Sequence, residues 1–198
     1  WLKGTMSEFE LNLFRQRARQ AFEQKIQRGH AMWELPVGFV RSDEDRVEKI
    51  ADRQVQEAIA GVFRKFRELG SARQATLWYR DERIPLPWVR PGSVGREILW
   101  QSPTAHRLNQ ILKNPCYAGA LAYGRTAMHL IIQEGRARKQ AARLKKPREQ
   151  WKVLILDNHS GYITWNEYLE NQAALESNQA MRGRSGSGAA KCGPALLS

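Results

Sequence analysis

Apolar and polar positions along the chain predict a long helix at its beginning. In GTMSEFELNLFRQRARQAFEQKIQRG (Gly4–Gly29) a narrow apolar stripe recurs at helical spacing, and the other faces are strongly charged. The stripe consists of Leu11, Phe14, Ala18, Phe22 and Ile26. Its width approaches that of a coiled-coil seam, so pairing with a second copy and packing on the helix's own domain both stay open. Overlapping capping boxes at Thr5 and Ser7 predict the start of this helix, and Gly29 predicts its end.

Short strands and helices are predicted to follow. The predicted elements up to the first proline-rich stretch are strands over 35–40 and 47–50, paired as a hairpin, and helices over 53–69 and 71–80. Asp52 is the predicted N-cap of the first of these helices, and Ser71 that of the second. Gly70 separates the two helices, because glycine readily ends a helix.

The second half of the chain begins with a predicted loop over 81–95, which contains Pro85, Pro87 and Pro91. The elements predicted beyond it are strands over 98–100, 117–123 and 151–156, and helices over 103–113 and 165–177. Ser102 followed by Pro103 predicts the start of the first of these two helices, with the serine as N-cap. From Asn178 onward the chain is rich in Gly, Ser and Ala, which predicts a poorly ordered linker.

These elements define an α+β chain of mixed helices and short strands. We expect a long helix over 1–30, one domain over 31–177 and a flexible linker over 178–198. The three helices predicted in the middle of the chain resemble a helix-turn-helix core with an insertion before the third. In that arrangement the third helix, over 103–113, would enter the major groove of DNA.

The charge of the chain favours a polyanionic partner. Lys and Arg together number 32 against 20 Asp and Glu, which gives a net charge of +12 and an isoelectric point near 10.2. The aromatic residues lack the spaced arrangement on a strand that base-stacking RNA modules show, so double-stranded DNA ranks above RNA. The chain has no long apolar run and no signal-peptide pattern, so we expect an intracellular protein without a membrane partner.

Motifs for catalysis, metals and cofactors are missing from the sequence. Cys116 and Cys192 lie far apart, the four histidines are scattered, and no phosphate-binding, dinucleotide-binding or zinc-protease pattern occurs. We therefore assign no catalytic residue, no metal and no cofactor. Ser7 and Ser71 are interpreted as helix caps rather than nucleophiles.

Three groups of side chains are the candidates for DNA contact. On the predicted third helix, the polar residues are of the types that read base edges or bind phosphates: Thr104, His106, Arg107, Asn109, Gln110 and Lys113. The acid-free stretch 135–148 forms either a flexible basic loop or a mobile hairpin, and its candidates are Arg136, Arg138, Lys139, Arg143, Lys145 and Lys146. The candidates on the opening helix are Arg15, Arg19, Lys25 and Arg28.

The sequence resembles the serine recombinases, especially the large serine integrases of phages and mobile elements. The opening helix is similar to the long helix that follows the catalytic domain of that family. The most specific stretches are LKNPCYAG (112–119) and GYITWNEYLENQ (161–172), which resemble parts of the central recombinase domain. The resemblance extends along essentially the whole chain.

That resemblance implies a DNA-binding segment of a site-specific recombinase. The family's catalytic domain would precede Trp1 and its zinc ribbon would follow Ser198, so we expect this chain to be inactive alone. In the full protein, a serine hydroxyl would attack a phosphodiester to form a phosphoserine intermediate within a tetramer. The alternatives are a freestanding transcriptional regulator with a dimerising N-terminal helix, and a pure interaction protein that uses this helix as a coiled coil without any DNA affinity.

Overall fold

The computed structural model describes residues 2–30, 33–90, 96–133 and 136–185. The helices in these ranges are α1 (Leu2–Gln27), α2 (Arg53–Leu69), α3 (Ala72–Asp81), α4 (Ala105–Leu112) and α5 (Trp165–Ser185). The strands are β1 (Phe39–Arg41), β2 (Val47–Lys49), β3 (Leu86–Val89), β4 (Ile98–Gln101), β5 (Leu121–Tyr123), β6 (Thr126–Gln133), β7 (Arg136–Lys145) and β8 (Val153–Ile155). This content confirms the predicted α+β class.

The strands pair as antiparallel two-stranded sheets. Within the described ranges the pairs are β1–β2, β3–β4, β5–β8 and β6–β7. Only β5–β8 joins strands that are not consecutive, and it brings Leu121 opposite Ile155. The β6–β7 ladder runs from Thr126–Lys145 to Gln133–Arg136, with a register shift between His129 and Ile131.

The chain divides into two compact units. The first unit comprises the chain up to Gln56 together with Pro115–Trp165. The second comprises Glu57–Asn114 together with the chain from Asn166 onward. Each unit is therefore assembled from two separate stretches of sequence.

The aromatic core of the first unit is built around Phe39. The ring of Phe39 lies 5.5 Å from that of Tyr117, 5.1 Å from that of His159 and 5.2 Å from that of Tyr162, centroid to centroid. The Tyr117 hydroxyl donates a hydrogen bond of 2.8 Å to the Val37 carbonyl. The polar ends of these rings therefore have partners while their apolar bodies fill the core.

Two glycines let the stretches that carry the family resemblance meet backbone to backbone. A Cβ atom added to Gly161 would lie 2.6 Å from the Gly119 nitrogen and 2.7 Å from the Ala118 carbonyl carbon. Gly119 itself has φ +72°, a left-handed conformation that a side chain disfavours. The approach is fixed by hydrogen bonds from Asn158 N to Gly119 O (2.8 Å) and from Tyr162 N to Tyr117 O (2.7 Å).

Helix α1 is anchored in the first unit only through its C-terminal part. Ile26 is fully buried, and the Phe22 ring meets the Tyr123 ring edge-on at 5.6 Å. Gly29 ends the helix as predicted: its N–H bonds the Ile26 carbonyl, while the N–H of His30 bonds the Lys25 carbonyl, as in a Schellman motif. The predicted start is wrong, because α1 is already helical at Leu2 and so Thr5 and Ser7 lie inside it.

The N-terminal part of the apolar stripe of α1 is exposed. Phe14 is 72% exposed and Leu11 49% exposed, and Phe9 adds a further exposed ring. Ala18 is exposed as well, and burial begins only at Phe22. The C-terminal part of the stripe is thus covered by the helix's own unit, and its N-terminal part is exposed.

Packing of α2, α3, α4 and α5 forms the core of the second unit. The buried side chains of this core include Ile59, Val62, Phe63, Phe66, Ala75, Leu108, Leu112, Tyr168 and Leu175. Helix α2 begins and ends where predicted, because Asp52 Oδ1 accepts from Gln54 N (2.8 Å) and Gly70 adopts φ +64°. Gln172 Nε2 donates to the Leu112 carbonyl (2.8 Å) and so ties α5 to the end of α4.

Other predicted boundaries in this unit need correction. Ser71 occupies the N-cap position of α3, but its side chain forms no capping hydrogen bond. The predicted loop over 81–95 contains β3, in which Pro87 pairs with Trp100 of β4. The N-cap of α4 is Thr104 rather than Ser102, since the Thr104 hydroxyl accepts from Arg107 N at 3.3 Å.

Helix α5 continues beyond its predicted end. It runs to Ser185, so residues 178–185, predicted as the start of a flexible linker, are helical. The remainder of the predicted linker, 186–198, lies outside the described residues. In the first unit, a 3-10 turn over Pro115–Ala118 replaces the beginning of the strand predicted over 117–123.

Candidate nucleic-acid interface

Arg107 on α4 is held by the β3–β4 hairpin of the same unit. Its guanidinium carbon lies 4.5 Å from the centroid of the Trp88 ring, and Nη1 donates a hydrogen bond of 2.5 Å to Gln101 Oε1. Stacking on the indole ring and the hydrogen bond to the Gln101 side-chain oxygen fix the orientation of this side chain, which otherwise has many rotamers. The side chain is half-buried, so it is held in place at the surface of the unit.

The other candidates on α4 divide into three settings. The Thr104 hydroxyl is used as the N-cap of α4. His106 and Gln110 are exposed and lie one helical turn apart. Asn109 and Lys113 line a cleft together with residues of α3 and α5. The side-chain amide of Asn109 donates to the Ala105 carbonyl one turn earlier (2.7 Å), so this donor is already used within its own helix.

Residues that position Arg107 could not be recognised from the sequence. Trp88 lies in the proline-rich stretch predicted as loop, and Gln101 at the end of a brief strand. Only the pairing of β3 with β4 places both beside α4, and no local pattern predicts that pairing. The cations of α3, by contrast, carry a signal in their helical spacing: Arg73 and Arg80 are seven residues apart.

The predicted basic segment after Gly135 forms a hairpin, which was one of its two predicted alternatives. Strand β7 pairs with β6 over 136–138 and 142–145, on either side of the register shift. The hairpin is closed at its base by hydrogen bonds from Lys146 N to Arg125 O (2.9 Å) and from Trp151 Nε1 to Lys146 O (3.1 Å). Lys145 is exposed and Lys146 half-buried. For the remaining candidates of this segment, Arg136, Arg138, Lys139 and Arg143, the structure describes the backbone and not the side chains.

The candidate cations of α1 and of the residue that follows it lie on the outside of the first unit. Arg15, Arg19, Lys25 and Arg28 are exposed. Lys152 of the same unit pairs with Glu23 of α1 (3.2 Å), which shows that an acidic residue of this helix is neutralised. The outer surface of α1 is therefore predominantly positive.

A half-buried cysteine and a half-buried histidine lie together in the first unit, but their environment does not suit nucleophilic chemistry. Cys116 Sγ is 3.4 Å from His159 Nε2, and the same nitrogen lies 2.8 Å from the Cys116 carbonyl oxygen. Burial raises the pKa of the Cys116 thiol to about 12, and it lowers the pKa of His159 although the backbone hydrogen bond opposes this shift. The pair is therefore neutral near pH 7, and a neutral thiol is a poor nucleophile.

Neither a metal-binding cluster nor a membrane-spanning helix occurs in the part of the chain that the structure describes. No group of three or more His, Cys, Asp or Glu side chains in these ranges is placed to bind a metal ion. Among the described helices, none is long and apolar enough to cross a membrane.

Comparison with known protein families identifies the chain. The family model described as Recombinase matches residues 53–178. The chain belongs to the Recombinase family. This match includes α2, α3, α4 and α5 as far as residue 178. It also includes the two stretches, 112–119 and 161–172, on which the resemblance to large serine recombinases is based.

Known relatives are much longer than this chain. The "Uncharacterized protein y4bA/y4pH" of Sinorhizobium fredii (strain NBRC 101917 / NGR234) is 42% identical over 178 residues, which is 89% of this chain and 25% of that protein. The chain thus spans about a quarter of this relative.

Solved structures show the same fold at low sequence identity. One, described as "Crystal Structure of a LSR-DNA Complex", has a TM-score of 0.54 and 13% identity over 82% of this chain and 38% of that one. Another, from work on "Sequence Requirements of the Listeria innocua prophage attP site", has a TM-score of 0.52 and 13% identity over 81% of this chain and 51% of that one.

Proposed function

We propose that this chain is the DNA-binding segment of a serine recombinase that recognises attachment-site DNA during strand exchange. The carrying observation is the guanidinium of Arg107, fixed by Trp88 and Gln101 at the surface of a unit that lies in the Recombinase family match. The net charge of +12 supports a polyanionic partner. The family match supports this interpretation over a freestanding transcriptional regulator.

Recognition of a base by Arg107 follows from the geometry of its side chain. A guanidinium is the commonest side-chain group for bidentate contact with guanine in the major groove, and this contact requires a defined orientation of its plane. Of the guanidinium nitrogens, only Nη1 donates a hydrogen bond to the described residues, so the other guanidinium N–H groups of Arg107 are available. The neighbouring exposed side chains of His106 and Gln110 would extend the base-reading surface along the same helix.

Backbone contacts would come from the other basic elements. The β6–β7 hairpin carries a segment without acidic residues, and α1 presents exposed cations. Such contacts fix the register of a protein on the duplex without reading sequence. This activity would take place in the bacterial cytoplasm, on the nucleoid or on phage DNA.

The test begins with selection of preferred duplexes from a randomised library. Affinity for the selected duplex should fall steeply between about 50 mM and 200 mM salt. Arg107→Ala should cost about 1–3 kcal/mol on the selected duplex and relax discrimination at one base position. Arg107→Lys, which keeps the charge but loses the planar fork, should lose the same discrimination.

Trp88 provides the matched control for the positioning of Arg107. Trp88→Phe keeps an aromatic face and should retain base discrimination, whereas Trp88→Leu should lose it. If binding is absent or insensitive to salt, the DNA-binding function is wrong. If Arg107→Ala weakens all sequences equally, Arg107 is a phosphate contact and not a base-reading residue.

Self-association through α1 is a second proposal. The exposed apolar side chains of Phe9, Leu11 and Phe14 would meet the same helix of a second subunit. Sedimentation velocity should show dimers that dissociate on Phe14→Ser but not on Gln20→Ser, a change at an exposed polar position of the same helix. A wild-type chain that stays monomeric at all concentrations would contradict this proposal.

A further inference from the structure

A cleft in the second unit lies beside the helix that carries Arg107. It has a volume of about 540 Å³ and is formed by α3, α4 and α5. The lining residues that matter here are Arg73, Leu77 and Arg80 of α3, Asn109 and Lys113 of α4, and Asn178 of α5. Arg73 and Arg80 are exposed, so their charged groups are accessible from solvent.

Three uncharged polar side chains of this cleft, those of Thr76, Asn109 and Asn178, already donate hydrogen bonds within the protein. Thr76 Oγ1 donates to the Ala72 carbonyl (2.7 Å), and Asn178 Nδ2 donates to the Gly70 carbonyl (2.7 Å). The Asn109 amide donates within α4. A ligand would therefore find these three donors already in use, and it would meet the exposed cations Arg73 and Arg80 in the same cleft.

The charge of the cleft has one sign. Its described lining residues include Arg73, Arg80 and Lys113 but no acidic side chain. Arg80 Nε donates to the Pro103 carbonyl (2.9 Å), which fixes the stem of this side chain while leaving the end of the guanidinium for other contacts. Positive charges along a groove that has no negative charge among its lining residues raise the local concentration of an anionic ligand.

The spacing of the two arginines suits a nucleic-acid strand. Arg73 and Arg80 lie seven residues apart on α3, so a rise of about 1.5 Å per residue separates them by about 10 Å along the helix axis. A strand of B-DNA advances about 3.4 Å per nucleotide along its axis. The two side chains can therefore contact phosphates that are a few nucleotides apart.

We propose that this cleft binds phosphate groups of the DNA backbone, independently of sequence, beside the base-reading surface of α4. The inference rests on the proposed DNA-binding function and adds a second kind of contact to it. Arg107 determines which sequence is bound, whereas Arg73 and Arg80 supply affinity for any duplex. This division follows the general roles of base and phosphate contacts.

The experiment measures binding of the chain to two labelled duplexes, one selected from a random library and one of unrelated sequence, over a salt series. Arg73→Gln and Arg80→Gln should each weaken both duplexes by the same factor. Each should also reduce the slope of log affinity against log salt by about 1. Arg64→Gln is the matched control, because it removes one exposed charge from α2 of the same unit but does not line the cleft.

The outcomes separate this inference from the proposed function. If Arg73→Gln and Arg80→Gln bind both duplexes with wild-type affinity and slope, the cleft is not a phosphate site, whatever Arg107→Ala does. If they change the ratio between the two duplexes, the cleft reads bases and the assignment to phosphate is wrong. If the wild-type chain binds neither duplex, the proposed function itself fails. Thermal unfolding of Arg73→Gln should match the wild type, since this side chain is exposed. Arg80→Gln also loses the hydrogen bond to the Pro103 carbonyl, so Arg73→Gln decides the outcome if Arg80→Gln unfolds at a lower temperature.

Discussion

Replacement of Gly161 by alanine should destabilise the first unit through a steric clash. The added Cβ would approach the Gly119 nitrogen to 2.6 Å, the Ala118 carbonyl carbon to 2.7 Å and the Ile163 carbonyl oxygen to 2.9 Å. All three are backbone atoms, so no side chain can rotate away to relieve the contact. The hydrogen bond from Tyr162 N to Tyr117 O would have to lengthen as the two segments separate.

The magnitude follows from two opposing effects. Overpacking that forces backbone shifts costs about 1–3 kcal/mol and sometimes more. Replacement of glycine by alanine also lowers the conformational entropy of the unfolded chain. Where the native conformation suits alanine, this effect raises the free energy of unfolding by about 0.4–1 kcal/mol. We therefore expect Gly161→Ala to lower the free energy of unfolding by about 1–2 kcal/mol, which is a factor of roughly 5–30 in the unfolding equilibrium.

Gly70→Ala is the control for this prediction. Gly70 has φ +64° but no atom within 4 Å of an added Cβ, so alanine there meets conformational strain without a clash. Urea unfolding followed by circular dichroism should show the larger loss for Gly161→Ala. Hydrogen exchange of the Tyr162 amide should also be faster in this variant than in Gly70→Ala. Equal or smaller destabilisation by Gly161→Ala would refute the proposed close packing of the two segments.

Three further predictions concern buried polar groups. Burial lowers the pKa of His159 below its usual 6.5, so the unfolded chain binds a proton at this residue more readily than the folded chain does. The free energy of unfolding should therefore fall as pH decreases below 6.5. This pH dependence should be weaker in His159→Gln. Cys116, with a pKa near 12, should resist alkylation at pH 8 in a Cys192→Ser background until urea unfolds the chain. Asn171 Nδ2 is buried without a hydrogen-bond partner among the described residues, so Asn171→Leu should raise the free energy of unfolding by about 1 kcal/mol. Asn178→Leu is the control and should not raise it, because this change removes the hydrogen bond to the Gly70 carbonyl.

Local signals predicted those elements whose ends are determined by nearby residues. Helix α2 was predictable to the residue, because Asp52 caps it and Gly70 ends it. Strand β3 was not, since Pro85 and Pro87 favour a loop; in a two-stranded sheet one edge of each strand needs no partner, so a proline is tolerated there. The candidate site shows the same limit. The types of side chain on α4 made Arg107 a candidate for DNA contact. The contact between Arg107 and Trp88 was not predictable, because it depends on the pairing of β3 with β4.

The division into two units, each made of separate stretches, has a consequence for how this protein can be dissected. The chain passes from one unit to the other after Gln56, returns after Asn114 and passes again after Trp165. A truncation at any of these points therefore leaves an incomplete core on at least one side. During synthesis, Phe39 emerges well before Tyr117 and Tyr162, so the first unit cannot close its core until most of the second has been made. Such long-range closure slows folding. Point substitutions, rather than deletions, are therefore suited to assigning functions to the two units.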